Sequence, residues 1–227
     1  MHFDPQLLLL LPVLVFSVVV HECAHGLVAL WCGDTTARDR GRLTLMPFAH
    51  LDPVGSLLLP GLLVLVRAPF VFGWAKPVPV DHSRLRDLRN DPVKVALAGP
   101  ASNFLLALLF AGLVRVAPEP ASAGRSAWAA WASPLATIGL AGVLWNVTIG
   151  LFNLIPIPPL DGSWVLMRFL RLRQILLLQQ FRLLGILLIL VALSSPQVSE
   201  VVLRRPVLAI SKALLELWGV PARELTL

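Results

Sequence analysis

Residues 7–30 read LLLLLPVLVFSVVVHECAHGLVAL. From Leu7 to Val20 the run is apolar apart from Ser17. It then meets His21, Glu22 and His25 before Leu27-Val28-Ala29-Leu30 resumes it. Roughly 20 apolar residues cross a hydrocarbon core about 30 Å thick, so the stretch predicts a membrane-crossing helix, A, over about 7–31. Ionisable side chains inside such a segment are costly in lipid and mark function by default. Residues four apart share one face of a helix. His21 and His25 can therefore turn their imidazoles to one ion, with Glu22 beside them. The pattern H-E-x-x-H has those mechanics: two zinc ligands and a general base.

Composition sets the class. Of 227 residues, 57% are apolar and 14% charged, against about 25% charged in soluble domains. The mean hydropathy is +0.79. A chain in lipid must satisfy its own backbone, so the fold class is an all-α polytopic membrane protein. It is read as one membrane-embedded domain over 1–227 with about five to six transmembrane helices. After A come helix C over about 93–116, D over about 134–155 and E over about 174–193. A last segment, 199–220, holds Arg204, Arg205 and Lys212 and can span or lie in the interface. The first apolar run has no basic region before it and continues into the histidines, so no cleavable signal is expected.

The formal charge is +6 and the pI near 10.6, but the basic residues fall in short loops between apolar spans. The positive-inside rule puts them there, and nucleic-acid binding is excluded. Cys23 and Cys32 are too few for a disulfide framework and read as buried small apolar residues. His2 and His82 read as solvated loop histidines, and Trp128, Trp131 and Trp145 as interface or packing residues.

Catalytic zinc takes three protein ligands and leaves a position open for water. The best third candidate is Asp161, in FNLIPIPPLDG (152–162) just past D. His50 and Asp52, in HLDPVG (50–55), form a second pair, although Asp52-Pro53 and Gly55 read more simply as a loop turn. Asn146 and Asn153 lie seven apart on one side of D, and Asn103 is near the start of C. Asn103 and Asn146 read as interhelical hydrogen-bonding groups.

Three stretches in order, HECAHG (21–26), AGPASN (98–103) and NLIPIPPLDG (153–162), resemble the site-2 protease family of intramembrane zinc metalloproteases. HLDPVG and FGWAKPVPV (72–80) resemble its compact bacterial and archaeal branch, without PDZ or CBS domains. The resemblance implies one Zn2+ per chain on His21, His25 and Asp161, with Glu22 as catalytic residue. It also implies that Asn153 contacts the substrate or the reaction intermediate. The activity implied is hydrolysis of a peptide bond within or near a transmembrane segment of a membrane protein. The setting implied is the lipid bilayer of a prokaryotic cell membrane. Two rivals are a divalent-metal transporter or sensor and a non-catalytic membrane scaffold. Neither needs Glu22, and the internal repeats common in transporters are not found.

The zinc reading constrains topology. His21 lies about 21 Å along A, nearer its C-terminal end, and Asp161 also follows the C-terminal end of its helix. Both reach one ion only if A and D run in the same direction. The intervening segment B, about 54–73, is therefore expected to be re-entrant, turning at Pro60-Gly61. One side then collects Arg38, Arg40, Arg42, Lys76, Arg84, Arg86, Arg89, Lys94, Arg168, Arg171 and Arg173. The other, up to E, holds only Arg115 and Arg125. That bias puts the site nearer the cytoplasmic face. Between A and B, RLTLMPF (42–48) has partial strand character and predicts a short β-hairpin-like stretch that could pair with an extended substrate.

Overall fold

In the computed structural model, which describes residues 5–66, 73–117 and 129–221, the first element is a continuous helix, α1 (Pro5–Trp31). It carries the whole of the predicted helix A. A short α2 (Thr36–Asp39) and α3 (Leu59–Leu65) follow, then the long helices α4 (Asp91–Val116) and α5 (Ala129–Asn153). Among the described residues, Leu10–Trp31, Asp91–Val116 and Pro134–Asn153 are the helices long and apolar enough to cross a membrane. Five to six were expected, and the last third of the chain is interrupted. After α6 (Gly162–Met167), helix E is split at Phe181 into α7 (Leu172–Gln180) and α8 (Arg182–Ser194). The split falls where Gln179, Gln180 and Arg182 break the apolar run. The 199–220 segment forms α9 (Pro196–Ser199), a π-helical stretch Glu200–Arg204 and α10 (Arg205–Leu217).

The chain divides into two compact units, one of residues 18–99 and one in which the N-terminal turns of α1 join the chain from Pro100 onward. The covalent runs of α1 and α4 contribute to both.

In the 18–99 unit, Ala29, Cys32, Leu85 and Val95 form the core, with Val28 and Val80 packed against them. Gly33, at φ +109°, turns the chain out of α1 in a left-handed conformation that favours glycine. The buried Asp34 then ties the loop down. Its carboxylate accepts the Thr36 N–H at 2.9 Å and the Asp81 N–H at 2.7 Å, and the Thr36 hydroxyl as well. The Arg86 N–H donates to the Cys32 carbonyl at 2.9 Å.

Two local elements differ from expectation. The hairpin over 42–48 does not form, and no residue among those described is in a strand. The groups a hairpin would pair are used otherwise. The Thr44 carbonyl accepts from His50 Nε2 at 2.8 Å and from Cys23 Sγ at 3.1 Å. The Arg42 N–H goes to Ala37, and Pro47 has no N–H to give and opens a 3-10 turn, Pro47–His50. In segment B, Pro60-Gly61 is not a turn. A π-helical stretch, Pro53–Leu58, runs directly into α3, and both Pro60 and Gly61 lie inside that helix. Residues 67–72 of that segment lie outside the described ones.

In the other unit, Ala107 and Ala111 of α4, Val143 and Val147 of α5, and Val207 and Leu215 of α10 form one core. The Trp218 indole N–H donates to the Leu108 carbonyl at 3.0 Å. At its centre Ser17, Asn103 and Asn146 are fully buried and bonded to one another. Asn103 Nδ2 donates to Asn146 Oδ1 at 2.8 Å. Asn146 Nδ2 donates to Ser17 Oγ at 2.8 Å and to the Gly142 carbonyl at 2.8 Å. The interhelical role read for the two asparagines is the one they have.

Candidate metal centre

The His21 and His25 rings meet edge to face, centroids 4.6 Å apart at 84°, with their Nε2 atoms 3.0 Å apart. His21 is buried and His25 partly so. His25 Nδ1 lies 2.7 Å from the Val95 carbonyl oxygen. A carbonyl can only accept, so Nδ1 carries the proton and Nε2 keeps its lone pair. That is the usual way a ligating histidine is oriented. Two nitrogens bound tetrahedrally to zinc at about 2.05 Å would stand roughly 3.3 Å apart, close to the separation found.

Space for the rings comes from the N-terminal half of α4. A Cβ on Gly99 would collide with both His25 Nε2 and the His21 ring. Glu22, partly buried, points to a different neighbour: its Oε2 accepts the Val78 N–H at 2.8 Å. Val78 is buried in the segment Pro77-Val78-Pro79, and a Cβ on Gly26 would strike its side chain.

Asp161 belongs to the other unit. α5 stops at Asn153, and Pro156, Pro158 and Pro159, which have no N–H, force a series of tight turns instead of more helix. These include Leu160 N–H to Ile157 O at 2.9 Å and Ser163 N–H to Leu160 O at 3.0 Å. They bring the chain back on itself, so that a Cβ on Gly162 would collide with the Leu154 and Ile155 backbone. Asp161 sits there partly buried, at the head of α6, which its side chain does not cap. Asn153 Nδ2 donates to the Ile149 carbonyl at 3.0 Å.

The second candidate pair is structural. The His50 ring is buried on Thr44. Asp52 Oδ1 accepts the N–H groups of Val54 and Gly55 at 3.0 and 2.7 Å, opening the helix that follows. His82, expected to be solvated, is half-buried, and burial pulls its pKa below the usual value. Cys23 and Cys32 are buried thiols, as expected. His2 and Trp128 lie outside the described residues. Sequence reasoning missed Gly99, the Val95 carbonyl and the Val78 amide. Only the AGP of AGPASN hinted at a close approach.

The family model described as peptidase family M50 matches residues 111–194. YwhC of Bacillus subtilis (strain 168), by name a candidate zinc metalloprotease, is 41% identical over 157 residues, 67% of each chain. The chain belongs to peptidase family M50. Two further relatives carry the name Rip2 and the same description. The one from Mycolicibacterium smegmatis (strain ATCC 700084 / mc(2)155) is 36% identical over 148 residues, 65% of this chain and 52% of that one. The one from Mycobacterium tuberculosis (strain ATCC 35801 / TMC 107 / Erdman) is 32% identical over 155 residues, 68% of this chain and 54% of that one. The M50 chain thus spans about half the length of the Rip2 proteins it matches. No solved structure matches it.

Proposed function

We propose that this M50 chain is an intramembrane zinc protease that hydrolyses a peptide bond within or near a transmembrane segment of a membrane protein. The observation that carries the reading is the pairing of His21 and His25, their Nε2 atoms 3.0 Å apart, with Asp161 as the proposed third ligand. Two imidazoles and a carboxylate are a zinc donor set with one position left for water. Zinc held there supplies Lewis acidity.

This chain's own groups do the rest. Glu22 takes a proton from the attacking water and passes it to the leaving nitrogen, as the water oxygen bonds to the carbonyl carbon and the C–N bond breaks. Asn153 has a second amide hydrogen with which to reach the substrate or the developing oxyanion. The apolar spans exclude bulk water, which strengthens these interactions.

The re-entrant reading of 54–73 is supported by its two ends. The Trp74 N–H donates to the Gly55 carbonyl at 3.1 Å, and the Lys76 N–H to the His50 carbonyl at 2.8 Å. Ser56 Oγ donates to the Trp74 carbonyl at 2.8 Å, so the chain comes back beside the point where it entered. The helical run Pro53–Leu65 is about 20 Å long, short of a hydrocarbon core of about 30 Å. With 54–73 re-entrant, the protein is multi-pass with its site nearer the cytoplasmic face.

The test uses purified protein in liposomes and a quenched-fluorescence single-span peptide with a Gly-Ser break in its apolar stretch. Wild type cleaves the peptide and Glu22→Gln does not. Equal cleavage by both would reject the reading.

A further inference from the structure

We infer that the main-chain amide of Val78 is a positioning group for Glu22, and that the sequence Pro77-Val78-Pro79 exists to present it. The inference rests on the protease reading for what the positioned carboxylate does, and on geometry alone for the positioning.

Glu22 must hold one carboxylate oxygen toward water while its neighbour His21 turns to a metal. A glutamate has three rotatable bonds and, inside a membrane helix, nothing in its own sequence to fix them. The structure supplies one bond, from the Val78 N–H to Oε2 at 2.8 Å. Among the described residues Oε1 accepts no hydrogen bond, so one oxygen is tethered and the other is left to meet water.

The donor segment is built to make that one bond. Pro77 and Pro79 have no N–H, so within these three residues Val78 carries the single amide donor, and it is aimed at Glu22. The prolines also limit their backbone to fixed φ and bias each preceding residue to extended conformations. The segment is held from both sides. The Arg42 guanidinium donates to the Lys76 carbonyl at 2.9 Å and to the Pro77 carbonyl at 3.4 Å. The Val78 side chain is buried against the Gly26 face of α1, one turn beyond Glu22. The Asp81 N–H is anchored on Asp34 at 2.7 Å. A side-chain donor would itself need orienting; an amide between two prolines comes already oriented.

The experiment compares Val78→Pro, which replaces the donor hydrogen with the ring Cδ and fixes φ, with Val78→Ala, which keeps the N–H. If Val78→Pro does not fold, a backbone ester at position 78 removes the N–H and keeps the side chain. The first readout needs no catalysis. The infrared carboxylate stretch of Glu22, isolated as the difference between each protein and its Glu22→Gln counterpart, reports whether a donor is on Oε2. The second is steady-state cleavage of the single-span peptide, with zinc content checked in each variant.

The expected result is a Glu22 band shifted in Val78→Pro or the ester and unshifted in Val78→Ala. With it comes a loss of about tenfold or more in kcat at unchanged KM for the donor-free forms, and less than about threefold for Val78→Ala. An unshifted band in the donor-free forms, or equal kcat losses in proline and alanine variants, overturns the inference. A shifted band in a protein that never cleaves overturns the protease reading and supports the tether.

Discussion

His25 Nδ1 stands 2.7 Å from the Val95 carbonyl oxygen, and that bond decides which nitrogen of the ring is open. The donor must be Nδ1–H, so Nε2 faces His21 as a lone pair. In metal-free protein, 15N NMR should find His25 neutral in the Nδ1–H tautomer near pH 8. An Nε2–H tautomer would contradict the arrangement.

Gly99 supplies the room those rings occupy. A methyl group there meets His25 Nε2 and the His21 ring, and overpacking of this kind costs about 1–3 kcal/mol. Gly99→Ala should lower zinc affinity at least tenfold in a chelator competition, because the rings must move to admit the methyl. Unchanged affinity would mean the rings do not sit against α4.

Ser17, Asn146 and Asn103 form a buried hydrogen-bonded network. Asn146→Leu removes one hydrogen bond from Ser17 and one from Asn103, and losing a buried bond costs about 1–3 kcal/mol. The double change with Asn103→Leu should cost less than the sum of the two single changes, since the groups are coupled. Thermal unfolding in detergent reads this; strict additivity would show that the network is not a unit.

Asp34 lies outside the membrane spans and makes the 18–99 unit acid-sensitive. Burial pushes its pKa up, but the bonds from the Thr36 hydroxyl and N–H and the Asp81 N–H outweigh it and hold the carboxyl below its usual value. The unfolded chain then takes up the proton first. The stabilisation is complete above the unfolded value of about 3.9 and is lost as pH falls through the folded one. Melting temperature should fall on acidification below about pH 4 in wild type, and less steeply in Asp34→Asn, which starts lower. Parallel profiles would remove Asp34 from the account.

What could be read in the sequence was what depends on spacing. Residues four apart on a helix put His21 beside His25, and three prolines after Asn153 end α5 and turn the chain at Asp161. The long apolar runs give the three candidate spans among the described residues. What could not be read was what depends on backbone groups from distant parts of the chain. The hairpin at 42–48 failed because its Thr44 carbonyl is claimed by Cys23 and His50, which no local pattern reveals. The Pro60-Gly61 turn failed because a proline inside a helix looks the same as one at a bend. The Val95 carbonyl and Val78 amide carry no side-chain signature at all.

The most direct test of the account is zinc content per chain, measured on purified wild type beside Asp161→Ala. One zinc is expected in the wild type, largely lost in the variant while the fold persists. A well-folded wild type without zinc, or a variant that keeps its full content, would contradict it.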